Sequence, residues 1–327
     1  MATDFENMTR VRADQADAFR GCVTYAPVKS LFLVAMYGLT AYGTINYLRW
    51  DTVLLFATKT VLVLLLGHSV GMHRRLIHKS FACPLWLERL LVYMGVLVGL
   101  GGPFTMIRTH DMRDWAQRQD RCHDYFAHRR PILVDALWQM HGDIRLETPP
   151  VLVIEAAVVQ DPFYRFIERH WIAVHLPWAI AFYLLGGWAW VLWGVCAQIA
   201  TTVTGHWLIG YFAHQAHEDD WQVGGAGVQG RNVPLVGWLT MGEGWHNNHH
   251  GFPGSARMGL YAGQSDPGYR FIRMLEAVGL AWDVRLARDL PHRPQLRWSS
   301  GAQPHFRPDV RLCPSLSWIG RRLGRST

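Results

Sequence analysis

Trp171 to His217 reads WIAVHLPWAIAFYLLGGWAWVLWGVCAQIATTVTGHWLIGYFAHQAH, without one Asp, Glu, Lys or Arg. A helix crosses a bilayer core with about 20 apolar residues, so the run has room for two crossings. Gly186-Gly187, near its first third, supplies a turn between them. Ser30 to Leu48 is likewise uncharged and reads as a first span, and a second runs from about Thr52 to Met72 after the tight Arg49-Trp50-Asp51 connection. Only Lys59 interrupts it. Its ammonium is expected to snorkel toward an interface, the alternative being a functional charge inside the membrane. The expected spans are therefore about 30–48, 52–72, 171–186 and 188–209.

Leu90 to Ile107 is also apolar. As a further span it would put the histidines before it and those after it on opposite sides of the membrane. It is expected instead to be an interfacial or re-entrant helix, broken at Gly99-Leu100-Gly101-Gly102-Pro103. The fold class expected is thus an all-α membrane protein, with four transmembrane helices, interfacial helices and a cytosolic cap. Its parts are an N-terminal cytosolic segment (1–28), a membrane-bound domain (29–290) and a basic, Pro/Arg-rich tail (291–327), expected to be mobile and surface-bound.

Composition agrees with that class. Half of the residues are hydrophobic, charged residues make up 17%, and there are 16 Trp, the anchors favoured where hydrocarbon meets headgroups. The net charge of +7 comes from clusters at the two ends, among them Arg10, Arg12, Arg20 and Lys29, then Arg311, Arg321, Arg322 and Arg325. Aromatic residues lie in apolar runs rather than between the basic ones, which argues against nucleic acid and for a lipid surface with the basic face cytosolic. Five widely spaced cysteines without a CxxC pair indicate neither a disulfide framework nor a thiolate metal site. The N-terminus MATDFE has no apolar core or cleavage site, so no signal peptide is expected.

Within GEGWHNNHH, Gly242 to His250, three histidines stand at offsets zero, three and four: His246, His249 and His250. On a helix those offsets share one face, so three imidazoles converge beside an acidic residue. That is the chemistry of a metal ligand cluster rather than of packing. Directly after the second expected span, GMHRRLIHKSF places His73 and His78 five apart. On an α-helix residues five apart point about 140° from one another, so the pair reaches two metals, or one if the helix ends between them. His206 lies at membrane depth, where an imidazole without a partner is costly.

Together these residues resemble the membrane-bound fatty acid desaturases, the family that includes the acyl-CoA delta-9 enzymes. The resemblance runs from about Gly67 to Ala287 and is most specific in GEGWHNNHHGFPGSARMGL, 242–260. It implies two irons held by histidine boxes at the cytosolic face, with dioxygen as co-substrate. By resemblance His73 and His78 form the first box, His246, His249 and His250 the last, and His206 is the isolated ligand between. The second box departs from the family's HxxHH: the chain has His110, then Arg113 and Asp114 where the other two histidines belong. Guanidinium has no lone pair to give, so Arg113 is not a ligand. Asp114, at i+4 from His110, is either a carboxylate ligand or the ion-pair partner of Arg113 or Arg118. His68, His123, His128, His214 and His217 are each expected to be ordinary polar or supporting residues, and as a group they are a reserve of compensating ligands.

The expected activity is iron-dependent, dioxygen-using introduction of a double bond into a fatty acyl chain. The catalytic set is His73, His78, His110, His206, His246, His249 and His250, with Asp114 added as a metal ligand. Arg74, Arg75 and Arg108, with Lys79, are expected either to hold the headgroup of a CoA, other thioester or phospholipid substrate, or simply to obey the positive-inside rule. No haem or ferredoxin motif is present, so a separate electron-transfer protein is expected. Hydroxylation of the chain and a catalytically silent lipid-binding role stand as alternatives.

Overall fold

The computed structural model describes residues 10–215 and 220–299. His217 and the basic positions from Arg311 onward lie outside them. The described chain is mostly helical. Three helices are long and apolar enough to cross a membrane: α1 (Pro27–Tyr47), α2 (Trp50–Ile77) and the stretch Ala173–Ala213. Between the last two come α3 (Leu85–Val96), α4 (Pro103–Gln117) and α5 (Ile132–His141). The stretch Ala173–Ala213 is called α6.

α6 is not straight. Gly187 takes φ 65 and ψ −160, which only glycine adopts readily, and the chain turns back there. The two limbs pack on each other, since a Cβ on Gly194 would lie 2.7 Å from the Phe182 ring. Twelve residues along an unbroken helix would hold those positions about 18 Å apart.

The apolar segment Leu90 to Ile107 is also split. α3 ends at Val96 and α4 begins at Pro103, with Gly99 at φ 92 and Gly101 at φ 134 between them. The carbonyls freed by this break are buried and must find donors. Gln198 donates to Leu97 O at 3.1 Å and Thr202 to Val98 O at 2.8 Å, both from the second limb of α6. α3 lies so close to α2 that a Cβ on Gly67 would come within 2.3 Å of the Met94 carbonyl carbon. Glu168 caps the other end of the break, accepting from the Phe104 and Thr105 backbone N–H groups at 2.8 and 3.2 Å at the start of α4.

Two expectations are corrected here. Lys59 does not snorkel. It is only 5% exposed, and its Nζ sits 5.3 Å from the ring centres of Trp178 and Phe182. Short strands tie the N-terminal segment to the chain that follows α5. Residues β1 (Val11–Arg12) and β2 (Gly21–Tyr25) form antiparallel ribbons with β4 (Val151–Leu152) and β3 (Gly142–Leu146) respectively. At the other end, the 291–299 part of the expected mobile tail is ordered: β6 (Leu296–Trp298) pairs with β5 (Trp221–Val223), and buried Arg293 donates to the carbonyls of His250 and Gly251 at 2.7 Å. The rest of that tail, 300–327, lies outside the described residues.

Candidate metal centre

Two groups of imidazoles form beside each other. His73, His78, His110 and His249 place one ligand nitrogen each within 4.8 Å of all the others, and so do His214, His246 and His250. The first group gathers α2, α4 and the short helix α7 (His246–Gly251), whereas the second joins the end of α6 to the same α7. The last box is therefore shared: His249 faces one group while His246 and His250, one turn apart, face the other.

Local winding explains the first box. Over Val63–Ile77 the helix is wound with i to i+5 hydrogen bonds, and His78 N–H donates to His73 O at 3.0 Å. That winding, ending at Ile77, brings two side chains five apart into one group, with ring centres 4.7 Å from each other. Arg10 secures the end of the helix, its guanidinium donating to Ile77 O at 2.9 Å and Leu76 O at 3.3 Å.

Three of the rings are aimed by a partner on the other nitrogen. His73 Nδ1 donates to Glu243 at 2.5 Å, and Glu243 also accepts from Ser69 at 2.7 Å and Arg74 at 3.1 Å. His110 Nδ1 faces Asp111 at 3.1 Å, and Asp111 is paired with Arg10 at 3.3 Å. His214 Nδ1 donates to Gly210 O at 2.6 Å. These bonds assign the protons to Nδ1 and leave the Nε2 lone pairs turned inward.

The inward nitrogens crowd one another. Nε2 of His78 lies 3.1 Å from that of His73 and 3.2 Å from that of His110; Nε2 of His246 lies 3.1 Å from those of His214 and His250. One proton on His78 or on His246 can satisfy only one of its two neighbours, so lone pairs oppose lone pairs in both groups. A cation relieves that opposition. Two nitrogens each about 2.0–2.1 Å from a zinc-sized metal and at right angles to one another are about 3.0 Å apart, which the spacings match. Burial pushes His78, His214, His246 and His249 well below the ordinary imidazole value, and His250 to about 4 against the pull of Asp114. Those five rings are thus neutral and able to donate at neutral pH. Burial opposes ionisation of Glu243, but His73 and Arg74 outweigh it and hold the carboxyl well below its usual range.

His206 joins neither group. Its ring lies against His68, centres 5.0 Å apart, and His68 in turn stacks 6.3 Å from His73. His214, eight residues further on, occupies the position between boxes. Asp114 is not among the three groups within 4.8 Å in the second group; it accepts from Arg118 at 3.2 Å. Its own carboxyl is held well below the usual range, burial being outweighed by His110, Arg118, His250 and His246. Arg113 points away, donating to Gln139 at 2.8 Å. Of the reserve histidines, His123 caps a short helix through Tyr125 N–H at 3.2 Å, and buried His128 donates to Asp135 at 2.9 Å while stacking on His214.

The expected headgroup cations divide as well. Arg74 is fully buried between Glu243 and Asp266, so it braces the box and cannot meet a headgroup. Arg75 is ion-paired with Glu88, and Arg108 is exposed.

The model of the family described as fatty acid desaturase matches residues 50–259. The chain belongs to the fatty acid desaturase family. It is 33% identical over 229 residues to an sn-1 stearoyl-lipid 9-desaturase of Anabaena variabilis, which covers 68% of this chain and 79% of that relative. It is 35% identical over 231 residues to a chloroplastic palmitoyl-monogalactosyldiacylglycerol delta-7 desaturase of Arabidopsis thaliana, covering 68% of this chain and 59% of that relative. An acyl-CoA 5-desaturase of Anemone leveillei is 28% identical over 248 residues, 75% of each chain. The protein is an oxidoreductase that desaturates fatty acyl chains. The desaturase's histidines have the donor chemistry of a metal site, and its family implies iron.

The sequence reading gave Glu243 and Asp111 no aiming role and left His214 among the reserve histidines. Glu243 and Asp111 each adjoin a box in sequence, which was the available signal for their aiming role. For His214 the signal was its place at the end of the uncharged run, the depth at which the other boxes also lie.

Proposed function

We propose that the desaturase holds two irons of unequal surroundings and uses dioxygen and externally supplied electrons to introduce a double bond into an acyl chain. The single observation that carries this is the pair of adjacent imidazole groups whose inward nitrogens have too few protons between them. His73, His78, His110 and His249 hold the first metal. His214, His246 and His250 hold the second, with Asp114 as its carboxylate donor, steadied by Arg118. His206 lies beside the first group and lines its approach together with His68.

When bound, the metal pair supplies the dioxygen reduction and hydrogen abstraction that no protein side chain performs. The chain's own residues position and neutralise. Glu243 and Asp111 keep protons on Nδ1 of His73 and His110, so that Nε2 stays available. Arg74 and Arg10 hold those carboxylates in place, and Asn247, bonded to the Trp221 and Gly230 carbonyls at 2.8 Å, holds α7 in register. Removing two hydrogens from the acyl chain yields two electrons, while reducing dioxygen to two waters takes four. The other two come from a separate electron-transfer protein.

Gly187 divides α6 into two limbs, so the proposed topology has four crossings, with the boxes and both termini on one face. The basic residues clustered around Arg10, Arg12, Arg20 and Lys29 support a cytosolic assignment of that face and a place in the cytoplasmic membrane. The substrate class follows the relatives, an acyl group on a lipid or on CoA, with exposed Arg108 the remaining candidate for a headgroup contact. Membranes containing the protein, supplied with a labelled saturated acyl substrate, test the reaction. An alkene product is expected; a hydroxylated product without alkene would overturn it.

A further inference from the structure

Far from the imidazole groups, the structure buries a second polar cluster that the proposed reaction does not use. Lys59 is 5% exposed and its Nζ has no hydrogen-bond partner. His175 is also 5% exposed, and neither of its ring nitrogens has a partner. His175, Trp178 and Phe182, spaced i, i+3 and i+7, lie along one face of the first limb of α6. Lys59 meets that face from α2, 5.3 Å from both aromatic ring centres. Among the described residues no carboxylate pairs with Lys59.

Three buried nitrogens without partners in an apolar interior are unfavourable unless something else satisfies them. An ionisable group at such a depth points to a ligand. Its position suggests which one. Lys59 precedes the ligand candidate His73 by 14 residues on the same helix (73 − 59), roughly 15–20 Å inward, since the i to i+5 winding of Val63–Ile77 rises less per residue than an α-helix. An acyl chain whose reacting carbons lie at the imidazoles and which runs inward along α2 ends at this depth. The Trp178 and Phe182 rings suit its methylenes, whereas a methyl terminus would leave all three nitrogens unsatisfied.

We infer that Lys59 and His175 bind an oxygen-bearing group, a hydroxyl or a carboxylate, at the far end of the acyl substrate. The inference rests on the acyl-desaturase reading above and adds the class of chain. Lys59 donates to the terminal oxygen, and His175 accepts from a hydroxyl or donates to a carboxylate.

Three substrates of one chain length test it: a plain saturated acyl chain, the same chain with a terminal hydroxyl, and the same chain with a terminal carboxylate. They are offered to membranes containing the wild type, Lys59→Met or His175→Phe. The wild type is expected to favour at least one oxygenated chain in kcat/KM by tenfold or more, and both variants to lose that preference while still converting the plain chain. The better of the two oxygenated chains tells ion pairing from simple hydrogen bonding. Absence of a preference in the wild type, or its survival in both variants, would overturn the inference and leave buried water as the occupant. If no chain of any kind is desaturated, the acyl-desaturase reading fails instead. The inference is then decided by thermal unfolding in detergent. The terminally oxygenated free acids should raise the wild-type Tm by several degrees more than the plain acid and lose that excess in Lys59→Met; equal shifts refute it.

Discussion

The two imidazole groups share α7 but are built to different standards. The group of His73, His78, His110 and His249 has four imidazoles, drawn from three helices, two of them aimed by carboxylates that are themselves locked by arginines. The group of His214, His246 and His250 has three, one aimed by a backbone carbonyl, and the nearby carboxylate of Asp114 is held by Arg118 alone. The difference traces to Arg113 and Asp114, where a second box of histidines would have added donors to the weaker group. Of the two proposed metal positions one is thus over-determined and the other barely sufficient, so the two should differ in affinity and in charge.

The largest break in that comparison comes from His249→Ala. It removes the one α7 ligand of the stronger group, and desaturation should fall by at least about two orders of magnitude, beyond the loss given by an outer partner; product formation in membranes checks it. His214→Ala should act on the weaker group alone, lowering bound iron from about two per chain to about one, measured by elemental analysis of the purified protein. His206→Ala should leave that number unchanged. Asp114→Ala should weaken only the second position, by about 10- to 100-fold in metal affinity if the carboxylate orients or binds the metal; chelator titration would show one iron leaving early, and simultaneous loss of both would break the account. The smallest effect is expected for Glu243→Gln, which keeps a hydrogen-bond partner for His73 but removes the charge. About a tenfold loss of affinity confined to the first position should result, visible in the later phase of the same titration.

How far the sequence could be read depended on the physics each feature used. Offsets of zero, three and four made the last box legible, because helical geometry alone brings those rings together. Gly186-Gly187 was legible as a turn for a similarly local reason, and so was the break around Gly99 to Pro103. The partition of the last box between two groups was not, since it depends on what lies on either side of α7. Nor was the choice between His206 and His214. They sit two turns apart on one helix, and only the depth at which α6 meets α7 selects the second. The first box was readable as a pair, but its convergence on one group needed the i to i+5 winding, which no residue pattern announces. Arg74 and Lys59 failed for a shared reason. A basic residue near a membrane is ordinarily at the surface, and each is instead buried by long-range contacts: Glu243 and Asp266 around Arg74, and the first limb of α6 over Lys59.

The central claim, two unequal metal positions sharing α7, is tested most directly by iron-edge anomalous diffraction from crystals of the iron-loaded protein. The account predicts two anomalous peaks, one bonded to His73, His78, His110 and His249, the other to His214, His246 and His250 with the Asp114 carboxylate. A single peak, or a second peak bonded to His206 instead of His214, would contradict it.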